Sequence, residues 1–89
     1  MKAILTVIGQ DKPGIIAGVS TFLAQHNVNI EDISQTIMQD KFTMIMMVNL
    51  KGCDVELQQL VASAEQLGKQ IGVVISLRHE DIFNAMHTI

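Results

Sequence analysis

One stretch near the amino terminus changes its hydrophobic period within a few residues. From Lys2 to Ile8 the chain is rich in β-branched residues and alternates, which predicts a strand. From Gly14 to His26 the apolar residues recur at helical spacing, which predicts a helix. Pro13, the only proline, lies between them and suits the first turn of a helix. The fold therefore begins with a strand that leads directly into a helix.

The loop between these two segments combines glycines with an acidic side chain. Gly9 and Gly14 allow backbone angles or close approaches that a Cβ atom forbids. Asp11 can accept hydrogen bonds from the free N–H groups of the first helical turn. Such a loop presents amide donors at the positive end of a helix, which suits a carboxylate or another anion. Two interpretations stay open: a binding loop, or an Asp11 that only caps the helix between glycines that only turn the chain.

The segment from Val28 to Gln39 predicts the second strand, and its alternation slips near Glu31. Ile30 lies on the even positions, whereas Ile33 and Ile37 lie on the odd ones. A β-bulge at this point brings the isoleucines to one face, and bulges favour edge strands. The polar residues of this segment also suit the edge of a sheet.

Two further strands and a second helix are predicted from the rest of the chain. The third strand runs from Phe42 to Leu50, with one face wholly apolar. The second helix is predicted from Val55 to Lys69, with Asp54 as its N-cap and Gly68 at its carboxyl end. The fourth strand is predicted from Ile71 to Leu77, where Val and Ile are frequent.

The segment order strand, helix, strand, strand, helix, strand defines an α+β fold. It predicts a ferredoxin-like βαββαβ domain, in which a four-stranded antiparallel sheet of order 4-1-3-2 carries both helices on one face. The first strand is placed at the centre because Ile4 and Ile8 make its second face apolar as well. Residues 82–89 predict a short C-terminal helix, whose apolar side can cover the sheet or a dimer partner.

The composition indicates a single small domain that uses a partner to cover part of its surface. Its 89 residues are 48% hydrophobic and only 17% charged, which is apolar for a domain of this size. We therefore expect the domain to gain stability by oligomerising, with a partner covering some of this surface. The net charge is −3 and basic residues form no cluster, so binding to nucleic acid through phosphates is not expected.

Several other classes of protein receive little support. Cys53 is the only cysteine and cannot form an internal disulfide, which suits a reducing cytoplasm. The amino terminus does not resemble a signal peptide, and no apolar run approaches the ~20 residues of a membrane span. Neither a nucleophilic triad nor a phosphate-binding loop is visible, so no enzyme is predicted. The metal-ligand candidates lack the spacing of a ligand motif, so neither a metal nor a cofactor is predicted. These candidates are Asp11, His26, Glu31, Asp32, His79 and Glu80.

Two short motifs resemble those of the ACT domain, a small regulatory module that binds amino acids in many metabolic enzymes and regulators. They are the segment from Asp11 to Ser20, which begins Asp-Lys-Pro-Gly, and the turn from Asn27 to Ile30, which reads Asn-Val-Asn-Ile. The resemblance extends to about Leu77. It is strongest to small stand-alone bacterial ACT-domain proteins, and weaker to one half of the tandem ACT regulators related to the glycine-cleavage repressor. It implies an ACT domain over residues 1–78 and a helical tail over 79–89 that packs on the sheet or the dimer partner.

The resemblance also implies where a ligand binds. In ACT domains that bind amino acids, the ligand lies between two domains, at the loop after the first strand of one and the start of the second strand of the other. Those strands are parallel within one chain, so Asn29 starts at the end far from Asp11. Antiparallel pairing of the second strand with its copy brings the partner's Asn29 towards the loop. The implied amino-acid-binding residues are Gly9, Asp11, Pro13, Gly14, Ile15, Asn29 and Ile30.

One departure from the family pattern leaves the identity of the ligand open. Serine-binding members carry a His two residues before the loop's acidic or amide position, and often Asn at that position, whereas this chain has Gly9 and Asp11. The departure removes one side-chain contact and adds a negative charge. A dimeric adaptor without a ligand therefore stays open as the alternative, and Asn29 is then only a turn residue. A regulated protein is a candidate partner under both hypotheses.

Overall fold

The computed structural model describes residues 1–81, and within them it has four strands and two helices. In chain order these are β1 Lys2–Gln10, α1 Ile15–Gln25, β2 Asn29–Met38, β3 Lys41–Asn49, α2 Leu57–Ile71 and β4 Val74–His79. The helix predicted for residues 82–89, and with it the packing of the tail, lies outside the described residues. In the part of the chain up to residue 81, no helix has the length and the apolar character needed to span a bilayer.

The strands form one antiparallel sheet in the order β2-β3-β1-β4, which confirms the predicted order 4-1-3-2. β1 and β3 lie at the centre, and β2 and β4 form the two edges. The α+β, ferredoxin-like βαββαβ topology is confirmed with it. Since β1 and β2 both run antiparallel to β3, they are parallel to each other, as the sequence predicts.

The core lies between the sheet and the two helices. Alternate residues of the central strands point into it, and Leu5, Met44 and Met46 are fully buried there. Each helix closes the core with one apolar stripe. The buried stripe residues are Ile15, Val19, Phe22 and Leu23 of α1 and Leu60 and Ala64 of α2. Burial of one such Leu or Met side chain contributes about 1.5–3 kcal/mol.

The opposite face of the sheet is apolar along β1 but is buried only at one end. Ile4 is 9% exposed, whereas Ile8, four residues further along the same face, is 53% exposed. Val74, which lies beside Ile8 on β4, is exposed as well. β1 is central, as its two apolar faces predict, but the apolar Ile8 is not buried because the described helices cover only the other face.

The β-bulge predicted for the second strand is confirmed. The register of β2 against β3 shifts between Ile30 and Asp32, so Glu31 is the extra residue. The shift restores one apolar face, because Ile33 and Ile37 now lie opposite buried core residues of β3. From Glu31 onwards every residue of β2 is nevertheless exposed, so the described helices do not cover this edge.

The start of α2 differs from the sequence prediction by two residues. The helix begins at Leu57 rather than Val55, after an extended Glu56. Asp54 was predicted to cap this helix, and that prediction is wrong. Its carboxylate oxygen Oδ1 lies instead 2.8 Å from Nδ1 of His26, the C-cap of α1. The two side chains thus join the end of one helix to the loop before the other.

The carboxyl end of α2 is marked by Gly72 and not by Gly68. Gly72 has a φ of 92°, a left-handed conformation that ends the helix and favours glycine. Gly68 lies inside the helix, where an added Cβ would come within 2.7 Å of the carbonyl oxygen of Val73. Its missing side chain therefore lets the chain that leads into β4 approach α2. As a result Ile71 belongs to α2, and β4 begins at Val74.

Candidate functional site

Gly9, which was predicted in the loop, lies in β1, whereas Gly14 lies in the β1–α1 loop, and the two glycines serve different purposes. At Gly9 an added Cβ would lie 2.7 Å from Cγ1 of Val73, so this position needs glycine for a close approach. At Gly14 no described atom lies within 4 Å of an added Cβ, but its φ of 89° favours glycine. Gly14 is the N-cap of α1, and it sets the direction in which the helix leaves the loop.

The structure does not support Asp11 as the cap of α1. Gly14 occupies the N-cap position, and α1 has no side-chain cap hydrogen bond among the described residues. The backbone N–H of Asp11 donates instead to the carbonyl oxygen of Asp40, at 2.7 Å. The Asp11 side chain is exposed. Its carboxylate is therefore accessible at the loop surface, and the first-turn amides of α1 have no side-chain acceptor among the described residues.

Contacts on both sides hold the loop in place. On the β3 side, Nε2 of Gln10 donates to Oδ2 of Asp40 at 3.3 Å, in addition to the backbone bond from Asp11. On the β4 side, Nζ of Lys12 donates to the carbonyl oxygen of Ile71 at 2.9 Å. A cation at the last carbonyl of α2 meets the negative end of the helix dipole. The loop thus links the β2–β3 turn to the end of α2.

Sequence reasoning missed Lys12, Asp40 and Gly72 as partners of the loop. Lys12 lies 59 positions before Ile71, and local patterns carry no signal of such a contact. The glycine at position 72 is part of the same arrangement, because an added Cβ there would lie 2.6 Å from Nζ of Lys12. The lysine in Asp-Lys-Pro-Gly therefore has a structural role in fixing the loop.

Pro13 and Ile15, the other two predicted residues of the loop, differ in their exposure to solvent. Pro13 is exposed in the turn before α1. Ile15, the first residue of the helix, is only 2% exposed and packs in the core. The side chain of Ile15 is therefore not available to a ligand at this loop.

Asn29 and Ile30 lie at the other end of the sheet. Asn29 pairs with Asn49 of β3, which in turn pairs with Lys2 at the start of β1. The nine residues of β1 separate this end from the loop by roughly 25–30 Å. The structure therefore does not bring Asn29 and Asp11 together within one protomer.

A charged cluster lies next to Asn29 and was not predicted. The bulged Glu31 places Oε1 3.1 Å from Nζ of Lys2, and Nδ2 of Asn49 donates to its other oxygen at 3.1 Å. The hydrogen bond from Asn49, followed by that from Lys2, lowers the pKa of the Glu31 carboxyl. The hydrogen bond to Glu31 raises the pKa of Lys2. The cluster fixes the start of β2 on β1 and β3.

The candidate metal ligands do not converge. Within residues 1–81 no group of three His, Cys, Asp or Glu side chains could hold a metal ion. His26 is paired with Asp54 and packs edge-on against Phe22, with ring centroids 5.0 Å apart. Glu31 is held by Lys2. Each of these side chains thus has a partner that explains its position in the fold.

The hollows of the described surface differ in their distance from the loop, and one of about 330 Å³ is lined by Val73, whose side chain approaches Gly9. One of about 530 Å³ runs between α1 and α2 and is lined by residues such as Thr21, Phe22 and Gln66. Another of about 320 Å³ lies on the uncovered face of the sheet beside Ile4 and Ile45. None of these hollows joins the loop to Asn29, which lies at the far end of the sheet, so a site that uses both would need a second copy of the chain.

The fold and the loop agree with a comparison against protein families. The model of the ACT domain matches residues 2–77 of this chain. The chain therefore belongs to the ACT domain family. The match covers all six strands and helices except the last residues of β4.

Similar proteins include small chains of nearly the same length. The UPF0237 protein MK1213 of Methanopyrus kandleri is 48% identical over 88 residues, which cover 99% of this chain and 98% of that protein. An ACT domain protein from Streptococcus pneumoniae has a similar structure, with a TM-score of 0.83 and 41% identity over 93% of both chains. These matches confirm the resemblance to small stand-alone ACT-domain proteins.

More distant structures include parts of larger regulators. A putative glycine cleavage system transcriptional repressor has a TM-score of 0.71 and 23% identity, over 86% of this chain and 44% of its own. The regulatory subunit of aspartate kinase from Thermus thermophilus has a TM-score of 0.66 and 26% identity, over 86% and 50%. The first of them shows the same fold as this chain, which agrees with the weaker resemblance to the glycine-cleavage repressor.

Proposed function

We propose that this protein is a non-catalytic regulatory module that works as a homodimer and senses an amino acid. The ligand lies between the β1–α1 loop of one protomer and the start of β2 of the other. ACT domains are typically regulatory modules that bind amino acids, which supports this proposal. The proposed binding residues are Gly9, Asp11, Pro13, Gly14, Ile15, Asn29 and Ile30.

The uncapped start of α1 is the observation that carries the proposal. Gly14 supplies no side-chain acceptor, so the first amide donors of α1 stay available for a ligand. Donors at the positive end of a helix suit the carboxylate of an amino acid. The exposed carboxylate of Asp11 is a suitable acceptor for the ammonium group of the same ligand.

The second half of the site comes from the partner, because Asn29 lies at the far end of its own sheet. β2 is a ten-residue edge strand, exposed from Glu31 onwards, and such an edge is a template for pairing with another strand. Antiparallel pairing about a two-fold axis sends the partner's Asn29 towards the loop. Each dimer then contains two equal sites.

In this proposal a second protein responds to whether the dimer has an amino acid bound. One similar structure is the regulatory subunit of an enzyme, aspartate kinase, which supports a role beside a regulated partner. The free, half-buried Cys53 suits a reducing compartment, and we place the protein in the cytoplasm on that ground.

A thermal-shift scan of the purified protein against the twenty amino acids tests the proposal. A ligand at about 100 times its Kd adds about 2.7 kcal/mol to the free energy of unfolding, which gives a clear rise in Tm. We expect a shift with one or two amino acids, and its loss in both Asp11→Ala and Asn29→Ala.

Gln59→Ala serves as the matched control, because Gln59 is an exposed amide on α2, away from the loop. It should keep the shift of the unmodified protein. A scan in which no amino acid raises Tm contradicts the sensor proposal and supports the ligand-free adaptor. A large fall in the Tm of Asp11→Ala without any ligand would instead give Asp11 a role in stability.

A further inference from the structure

The outer edge of β2 carries two exposed isoleucines on one face. Ile33 and Ile37 are 44% and 54% exposed, although they lie on the same side of the sheet as the core. Gln35 lies between them on that face. Ser34 and Thr36 point to the opposite face. On the side of the sheet that carries the helices, the edge strand thus presents the pattern isoleucine, glutamine, isoleucine.

Two copies of this strand can pair in only a few ways. A two-fold axis perpendicular to the sheet pairs β2 with its copy in antiparallel fashion and keeps the helices of both copies on one side. One residue must then lie opposite its own copy, and every choice of that residue sets a different register. Between the bulge, where the register shifts from Ile30 to Asp32, and the last residue of β2, the choices are Ile33, Ser34, Gln35, Thr36 and Ile37.

We infer that the two copies pair with the axis at Gln35, and that this register completes the ligand site at the turn around Asp40. The inference rests on the proposed function and specifies its dimer. With the axis at Gln35, Ile33 lies opposite the partner's Ile37, and the reverse pair forms across the axis. Both exposed isoleucines are then covered by apolar neighbours, which favours the pairing.

The other registers pair these residues less well. An axis at Ser34 or Thr36 sets an isoleucine opposite Gln35 of the partner subunit. An axis at Ile37 leaves Ile33 beyond the end of the partner's β2, and an axis at Ile33 sets Ile37 at the very start of that strand, at the partner's Asn29 or, counting the bulge, just before it. Among these registers, only the Gln35 axis gives both isoleucines an apolar cross-strand partner within β2.

The position of the partner's Asn29 in the proposed site is a second argument for the same register. With the axis at Gln35, the partner's Asp32 lies opposite Met38, the last residue of β2. Counting the extra residue of the bulge, the partner's Asn29 falls beside Asp40. Asp40 is the residue that accepts hydrogen bonds from the backbone of Asp11 and from Gln10. An axis at Ser34 or Thr36 would shift the partner's Asn29 by two residues, roughly 7 Å, from this turn.

Single cysteines test the register, because each axis brings one residue opposite its own copy. Directly opposite residues have Cα atoms about 4.5–5.5 Å apart, within the range of a disulfide. Residues one position off the axis lie roughly 8 Å from their copies, beyond that range. In a Cys53→Ser background, five variants are compared, each with one cysteine. They replace Ile33, Ser34, Gln35, Thr36 and Ile37 in turn.

We expect Gln35→Cys to form a covalent dimer at least tenfold faster than the other four under mild oxidation, measured on non-reducing gels. All five positions are exposed, and circular dichroism checks that each variant is folded. Faster cross-linking of Ser34→Cys, Thr36→Cys or either isoleucine variant assigns another axis and overturns the inference. Failure of all five to cross-link overturns the pairing of β2 itself.

The outcome is independent of ligand binding. If Gln35→Cys cross-links selectively but no amino acid shifts Tm, the register stands and the sensor function fails. If an amino acid binds and another cysteine cross-links faster, the function stands and the register fails.

Discussion

The two edges of the sheet are built in opposite ways. β4 has six residues, and Ile75 and Leu77 are 3% and 0% exposed beneath α2. β2 has ten residues, and its isoleucines on the same face, Ile33 and Ile37, are about half exposed. A short, covered edge resists pairing with another chain, whereas a long, open edge invites it. The difference leaves β2 as the edge that is open to a partner, which is why we propose that the dimer forms there.

The β1–α1 loop lies between these two edges and makes contacts next to each of them. It binds Asp40, in the turn after β2, through Gln10 and the backbone of Asp11. It binds Ile71, just before β4, through Lys12. A ligand at the loop would therefore lie beside β2, whose edge is open to a partner. The loop that holds it is anchored next to β4, whose inner face is covered.

The largest effect expected from the difference between β4 and β2 is on the free energy of unfolding. Leu77→Ala on β4 should lower the free energy of unfolding by about 2–5 kcal/mol, because it leaves a cavity in the core. Ile37→Ala on β2 should lower it by less than about 1 kcal/mol, because half of that side chain is already exposed. Urea unfolding at protein concentrations too low for dimers measures both. An equal loss in the free energy of unfolding for both variants would show that β2 is packed as tightly as β4.

The next effect is on dimerisation. Ile33→Lys should weaken the dimer at least tenfold, about 1.4 kcal/mol, because the ammonium group would have to be desolvated at the paired edge. Val74→Lys is the matched control, since Val74 on β4 is even more exposed, at 69%. Sedimentation velocity over a concentration series compares the two. Weakening by Val74→Lys alone would place the interface at the other edge.

A smaller effect is expected from the anchor of the loop. Lys12→Met keeps the aliphatic part of the side chain but removes the hydrogen bond to Ile71. We expect a loss of about 1 kcal/mol in the free energy of unfolding, since the bond is exposed to solvent. Lys51→Met, at an exposed lysine of another loop, is the control in thermal melts. Equal Tm values for the two variants would contradict the anchoring role.

The smallest effect concerns the charged cluster at the start of β2. The pKa of Glu31 is lowered in the folded protein, first by Asn49 and then by Lys2. The ionised form therefore stabilises the fold above the ordinary carboxyl pKa of 4.5, and this contribution is lost as the pH falls through the lower folded value. NMR titration should give a Glu31 pKa below 4.5, and Asn49→Ala should raise it. An unshifted Glu31 would contradict the contacts described.

The sequence was sufficient for the fold wherever the hydrophobic period is clear. The order of strands and helices follows from alternation and helical spacing, and the slip between Ile30 and Ile33 located the bulge. The end of α2 was misplaced because Gly68 and Gly72 give the same local signal. The approach of Val73 to Gly68 and the left-handed φ of Gly72 distinguish them, and both depend on the folded structure.

The candidate site was less accessible to sequence reasoning. The separation of Asn29 from Asp11 followed from the parallel arrangement of β1 and β2, so the need for a partner could be predicted. The anchors at Asp40 and Lys12 could not, because they join residues far apart in the chain. Asp11 itself was ambiguous, since the same residue type caps helices and binds ligands.

The central claim is that each ligand site combines the loop of one chain with Asn29 of the other, and mixing two variants tests it directly. Asp11→Ala and Asn29→Ala alone should bind no amino acid. A refolded equal mixture contains heterodimers, each with one intact site, so calorimetry should recover about one quarter of the unmodified stoichiometry. A mixture that forms heterodimers but binds nothing would contradict a site shared between two chains.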